Sequence, residues 1–213
     1  MGGQDHSTRN VILTLLKIKE SLSVNELARE LGITEMAVRR HLNTLERDGL
    51  IRSKLVRQAM GRPVHIYFLT GQSEDFFPKK YHHLALELLE ELEQEEGDAA
   101  VMRLFERRKA RLENKYRQRL EGKPLEEKVL ELAEVQNSNG YMVRLERDGK
   151  GNYVFVEHNC PISQVARKYQ QACQCELSLF RALLNAGVER TECLAKGGNK
   201  CVYMIENQES GRI

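Results

Sequence analysis

SVNELARELGITEMAVRRHLNTLERDGLI, residues 23–51, is the stretch from which the fold of the first part of this chain can be read. Ser23-Val-Asn-Glu26 has the form of a capping box, in which hydroxyl and carboxylate close the free amides at a helix start. Leu27, Ala28 and Leu31 supply the buried face of that helix. Gly32 ends it, because glycine accepts a left-handed backbone without steric cost, and Ile33 anchors the turn. Thr34 opens a second helix with Val38, Leu42 and Leu45 pointing inward, and Gly49 stops it. The opposite face carries Arg39, Arg40 and Asn43, with Thr34, Glu35 and Met36 at the exposed N-terminus.

Two helices joined by a four-residue turn form a helix-turn-helix, whose second helix enters the major groove with its N-terminal residues at base edges. Arg bonds guanine bidentately and Asn does the same for adenine. Upstream, Val11, Ile12, Leu15, Leu16 and Ile18 recur at helical spacing, which predicts a first helix over residues 8–20. Downstream, residues 50–57 and 64–69 alternate apolar and polar around Gln58-Ala-Met-Gly-Arg-Pro63, a hairpin that forms a wing. Arg62 at its tip is placed to reach a minor groove or phosphate, and Lys54 and Arg57 to touch the DNA backbone. Residues 8–70 resemble the winged helix-turn-helix of DeoR/ArsR-type bacterial regulators. The string Gly32-Ile-Thr, Val-Arg-Arg-His-Leu and Leu-Glu-Arg-Asp-Gly-Leu-Ile51 carries the resemblance.

Charge supports the same division. Residues 1–70 hold 11 Lys/Arg against 7 Asp/Glu, whereas the rest of the chain holds 22 against 24, so a basic module precedes a near-neutral body. Met1–Ser7 is polar, the apolar residues of 11–18 are interrupted by Thr14 and Lys17, and no run of about 18 apolar residues occurs. A cytoplasmic protein with no membrane partner is expected. Residues 79–96, 98–122 and 125–135 then read as three helices, with Lys123-Pro124 as a break. They are the expected dimerisation segment, since winged-helix modules read pseudo-palindromic sites as two-fold dimers. The Arg- and Lys-rich residues 103–119 read as a solvated face paired with Glu106, Glu113 and Glu121.

All five cysteines lie between Cys160 and Cys201. In a cytosolic chain they point to a metal or redox centre more than to disulfides. The surrounding pattern is a hairpin (141–147 and 152–157), a helix (162–184) and a second hairpin (189–195 and 200–205). Cys173 and Cys175 sit about 200° apart on the helix, so both do not serve one centre. Cys193 and Cys201 are symmetric about the second loop, which predicts cross-strand neighbours ~5 Å apart. Thiolates from a loop, a helix and a strand suit a metal or cluster site. The string Cys160-Pro-Ile, Val165-Ala, Tyr169, Cys173, Glu176-Leu, Val188-Glu-Arg190 and Cys201-Val-Tyr resembles the SufR-like regulators. Those are winged-helix repressors of iron–sulfur assembly genes that themselves carry a cluster. The resemblance spans nearly the whole chain and implies Cys160, Cys173 and Cys201 as ligands. Family members with a fourth cysteine place it where this chain has Gly187. Cys193 is the first choice for that role, then His158, then Cys175.

The fold class expected is therefore α+β: a winged helix-turn-helix (1–72), a helical dimerisation segment (73–138) and a small cysteine-containing sensor domain (139–213). The expected function is a homodimeric transcriptional regulator, a repressor, binding a double-stranded DNA operator under control of a [4Fe–4S] or [2Fe–2S] cluster. Thiolate sites suit Zn²⁺ as well, so a zinc or thiol-redox regulator is one alternative. A small-molecule-responsive regulator with structural cysteines is the other. No phosphate loop or nucleophile elbow suggests an enzyme.

Overall fold

A computed structural model describes residues 3–59 and 62–207, with side chains from residue 8 onward. The chain divides into two compact units, Met1–Lys79 and Lys80–Ile213. The first contains α1 (Gly3–Lys19), β1 (Ser21–Ser23), α2 (Val24–Leu31), α3 (Glu35–Arg47), β2 (Ile51–Val56) and β3 (Val64–Leu69). The capping box forms: the Glu26 carboxylate accepts from the Ser23 N–H at 2.7 Å, and the Glu26 N–H donates to the Ser23 hydroxyl at 3.3 Å. Gly32 takes φ +65° and its N–H donates to the Ala28 carbonyl, so α2 ends at the residue expected. Val38, Leu42 and Leu45 are fully buried with Ile12, Leu13 and Leu27.

The sheet of this unit is antiparallel in the order β1-β3-β2. Its short β1, between α1 and α2, was not expected. Glu20, at φ +64°, turns the chain out of α1 so that Leu22 can pair with Tyr67. Met60 and Gly61 of the expected wing tip lie outside the described residues.

The second unit contains α4 (Tyr81–Glu96), α5 (Asp98–Leu120), α6 (Leu125–Ser138), β4 (Val143–Arg147), β5 (Tyr153–Glu157), α7 (Ser163–Lys168), α8 (Gln171–Leu184), β6 (Val188–Glu192) and β7 (Cys201–Ile205). Its four strands are antiparallel in the order β4-β5-β7-β6. The long helix expected over 162–184 is broken. Tyr169 leaves helical geometry (φ −110°, ψ 84°), and its buried ring reaches Glu93 of α4, the hydroxyl donating at 2.9 Å.

The helices expected as a separate segment share one core with the cysteine region. Val101, Phe105, Leu120, Val129 and Leu132 pack in the same cluster as Phe155, Phe180 and Tyr203. Their apolar residues outnumber the positions that face inward, so Leu84, Leu88, Leu104 and Leu130 remain exposed. Of the ion pairs expected on α5, Arg117 meets Glu113, while Arg119 turns to Glu131 on α6 and Arg103 to Glu96. Among the described residues no helix is long and apolar enough to cross a membrane.

Candidate functional site

Two places collect the residues singled out in the sequence, one in each unit. In the first, Thr34 caps α3 by accepting from the Ala37 N–H at 3.3 Å, so its hydroxyl has a structural task. Glu35 accepts from Asn25 at 3.2 Å and from Arg39 at 3.4 Å. Met36 is 75% exposed, and Arg39, Arg40 and Asn43 are exposed beside it, opposite the buried Val38 and Leu42.

The wing is sorted by strand alternation. Ser53 faces α3, its N–H and hydroxyl donating to Glu46 at 3.0 and 2.8 Å. Lys54 therefore lies on the opposite face with Arg52, while Leu55 shares the α3 side. Arg57 and Arg62 are exposed on either side of the tip. His65 pairs with Leu55 and lies on the α3 side beside Tyr67, ring centroids 6.5 Å apart. Sequence reasoning missed His65, although its spacing of two from the core residue Tyr67 was the available signal.

In the second unit the inner face of the sheet is built in rows. Antiparallel register sets Arg190, Tyr203, Phe155 and Leu145 side by side, and in the next row Cys201, Glu157 and Val143. The β6–β7 ladder is irregular between Arg190 and Glu192. Arg190 and Cys193 are three apart and would face opposite sides of a regular strand. The extra residue at Thr191 re-registers the ladder, so Glu192 meets Val202 and Cys193 comes immediately after the last paired residue of β6. The Leu194 N–H donates to the Cys201 sulfur at 3.4 Å.

Helix α8 lies over this end of the sheet with Cys173 and Glu176 on one face. The Cys173 thiol is within hydrogen-bonding reach of Cys193, and Cys160, Cys173 and Cys201 all interact electrostatically with Cys193. Cys193 is thus the thiol that the other three have as a common neighbour, and these four are called the thiol ring below. Cys175 faces α5 instead, near Glu106, Arg108 and Lys109, and the exposed His158 follows Glu157 on the outer side of the strand. Neither joins the ring. All five cysteines are free, and among the described residues no three His, Cys, Asp or Glu side chains are arranged to hold a metal ion.

The ring is poorly hydrated. Burial pushes the Cys160 thiol up to about 11, the Cys173 thiol up to about 12, and the Cys201 thiol up as well. Thiols in this state are neutral near pH 7 and make slow nucleophiles, unlike the low-pKa cysteines of thiol-redox sensors. Beneath them lie two carboxyl groups that sequence reasoning also missed. Glu157 is completely buried; Oε1 accepts from Gln136 at 2.7 Å and Oε2 has no partner. Burial, then the nearby Glu176, pushes its carboxyl up to about 9. Glu176 is raised too, by burial, while accepting from the Tyr203 hydroxyl at 2.9 Å. Arg190 faces both acids and donates to the Cys173 carbonyl at 2.8 Å.

A carboxyl raised from 4.5 to about 9 favours the fold at low pH and loses that contribution as pH rises across this window. Metal-free protein is expected to lose stability between pH 5 and 8 with a slope from this group of up to ~1.4 kcal/mol per pH unit. Glu157→Gln removes the titration. Urea unfolding at several pH values should show the two proteins diverging upward in pH, with the variant more stable. Parallel curves would refute the assignment.

Residues 5–54 match the model of a helix-turn-helix domain. With its wing, the first unit is a winged helix-turn-helix. Over 70 residues the chain is 40% identical to the probable C4-dicarboxylate response regulator DctR of Bacillus subtilis, covering 32% of this chain and 31% of that protein. The DctR of Halalkalibacterium halodurans is 36% identical over 64 residues, 30% of this chain and 28% of that one. The chain thus spans less than a third of the length of these relatives.

Among solved structures, a Lactococcus lactis ZitR mutant in apo form is 26% identical, covering 45% of this chain and 72% of that one, at a TM-score of 0.29. Bacillus subtilis PadR in complex with operator DNA is 14% identical, covering 82% and 98%, also at 0.29. At that score neither bears on the arrangement of this chain.

Proposed function

We propose that this protein is a cytoplasmic, dimeric transcriptional repressor whose hold on a DNA operator is set by an iron–sulfur cluster on Cys160, Cys173, Cys193 and Cys201. The observation that carries this reading is that the thiols of Cys160 (a loop), Cys173 (α8) and Cys201 (the start of β7) all neighbour that of Cys193, just past β6, with the fifth turned away. In chemical type the donor set suits the group, and gathering its sulfurs around one centre requires side-chain movement from the arrangement seen here. It is all sulfur, three of its four cysteines are buried and Cys160 is partly so, and the Leu194 N–H already bonds one sulfur, as cluster-binding sites use N–H donors to tune theirs.

When bound, the cluster supplies charge and redox sensitivity. The chain's own residues supply the response. The four thiols would have to lose their protons to hold the cluster, and Arg190, which donates to the Cys173 carbonyl, would face the negative charge so created. Cys160 on the loop, Cys173 on α8 and Cys193 and Cys201 at the hairpin are the residues that would hold it, so a bound cluster would restrain these three segments relative to one another. Operator affinity changes only to the extent that the two states differ in their free energy on DNA. In the DNA-binding unit, Arg39, Arg40 and Asn43 read base edges while Arg57, Arg62 and His65 steady the wing.

The test is an anaerobic ultraviolet–visible spectrum with iron and sulfide assays on protein purified without oxygen. Broad visible absorption and near-stoichiometric sulfide are expected. Protein that stays colourless after iron–sulfide reconstitution and instead retains zinc would overturn the cluster and leave a zinc regulator on the same thiols.

A further inference from the structure

Helices α4 and α5 form an antiparallel pair joined at Gly97, and the pair leaves one face uncovered. Leu88 is 63% exposed, Leu84 54% and Leu104 47%. Leu88 and Leu104, with Ala85, Leu89, Phe105 and Val165, line a largely apolar groove of about 760 Å³ edged by Arg107, Arg108 and Arg111, and Leu84 is exposed one turn before Leu88. Charge is divided between the two helices. Helix α4 carries six glutamates and no lysine or arginine, whereas α5 carries eight lysines and arginines against three acids. On α4, Glu87, Glu91 and Glu95 are exposed at successive turns along the leucine stripe. On α5, Arg103, Arg107 and Arg111 are exposed at the same interval beside Leu104.

We infer that this face is covered by a second copy of the chain. A two-fold interface uses one patch twice and must complement itself. The acidic α4 of one copy over the basic α5 of the other does so at both crossings, closing a four-helix bundle over the exposed leucines. Nucleic acid fits the face poorly, because phosphates drawn to α5 would meet the glutamates of α4. The shorter helix is ~24 Å long and the pair ~20 Å wide, a footprint of ~480 Å² per copy. The ~1,000 Å² total is near the lower limit for a specific interface, so the dimer is reversible and its strength rests on charge matching. This inference gives the proposed dimer its surface and depends on neither the cluster nor the operator.

The test is sedimentation velocity on the full chain at micromolar concentration. Wild type is expected to run as a dimer. The triple variant Glu87→Lys/Glu91→Lys/Glu95→Lys and the triple variant Arg103→Glu/Arg107→Glu/Arg111→Glu are each expected to run as monomers with unchanged circular dichroism. An equimolar mixture is expected to recover the dimer mass, since each variant then presents the charge its partner lacks. A monomeric wild type, variants that both stay dimeric, or folded variants whose mixture stays monomeric would each overturn the inference. Cluster content and DNA affinity are separate measurements, so a failure here is distinguishable from a failure of the proposed function.

Discussion

Cys173→Ser and Cys201→Ser are each expected to reduce bound iron and sulfide from near-stoichiometric to background, while Cys175→Ser is expected to leave both at the wild-type level. The difference follows from placement. Cys173 and Cys175 are two residues apart on α8, yet Cys173 interacts with Cys193 inside the ring and Cys175 faces the charged side chains of α5. Serine keeps the size of the side chain and removes the soft donor that iron and sulfide need. Cys193→Ser tests the bulge: if the re-registered strand places its sulfur in the ring, this variant falls with the first two. Equal cluster content in Cys173→Ser, Cys201→Ser and Cys175→Ser would sink the site, whatever the spectrum of the wild type.

The second large effect lies on α3. Arg40→Ala combined with Asn43→Ala is expected to weaken binding to an operator fragment, obtained by in vitro selection with the wild-type protein, by ~100-fold or more. Each good bidentate contact is worth about 1–3 kcal/mol of discrimination, and each 1.4 kcal/mol is tenfold. Thermal stability should be unchanged, because both side chains are exposed. Lys54→Ala, on the wing face turned away from α3, is expected to change affinity several-fold less. Fluorescence anisotropy at fixed salt measures all three, since salt alone shifts such affinities. An unaltered affinity in the double variant would remove α3 as the reading element.

Much of the first unit was legible because its punctuation is local. Ser23, Glu26, Gly32 and Thr34 each act on backbone groups within a few residues, so the sequence contains the whole interaction. The second unit was legible at its cysteines and obscure between them. Symmetry about the second loop suggested that Cys193 meets Cys201, but the shift at Thr191 that lets Arg190 share that face depends on the neighbouring strand. Glu157 could have been found: it continues the inward alternation of Tyr153 and Phe155. Glu176, one helical turn from Cys173, could have been found the same way. The middle helices resisted reading because α4 carries leucine on nearly every side, and only packing against α5 and α7 decides which of them face in.

The strand order β4-β5-β7-β6 has a consequence for the order in which the protein becomes functional. β5 is paired to β7, so the sheet under the thiol ring stays open until Cys201–Ile205 has been synthesised. The sheet of the first unit needs nothing beyond Leu69. At ~5–20 residues per second, the helix-turn-helix unit is complete on the ribosome roughly ten seconds before the second sheet can close. During that interval a nascent chain has a folded helix-turn-helix and no completed sheet beneath its cysteines.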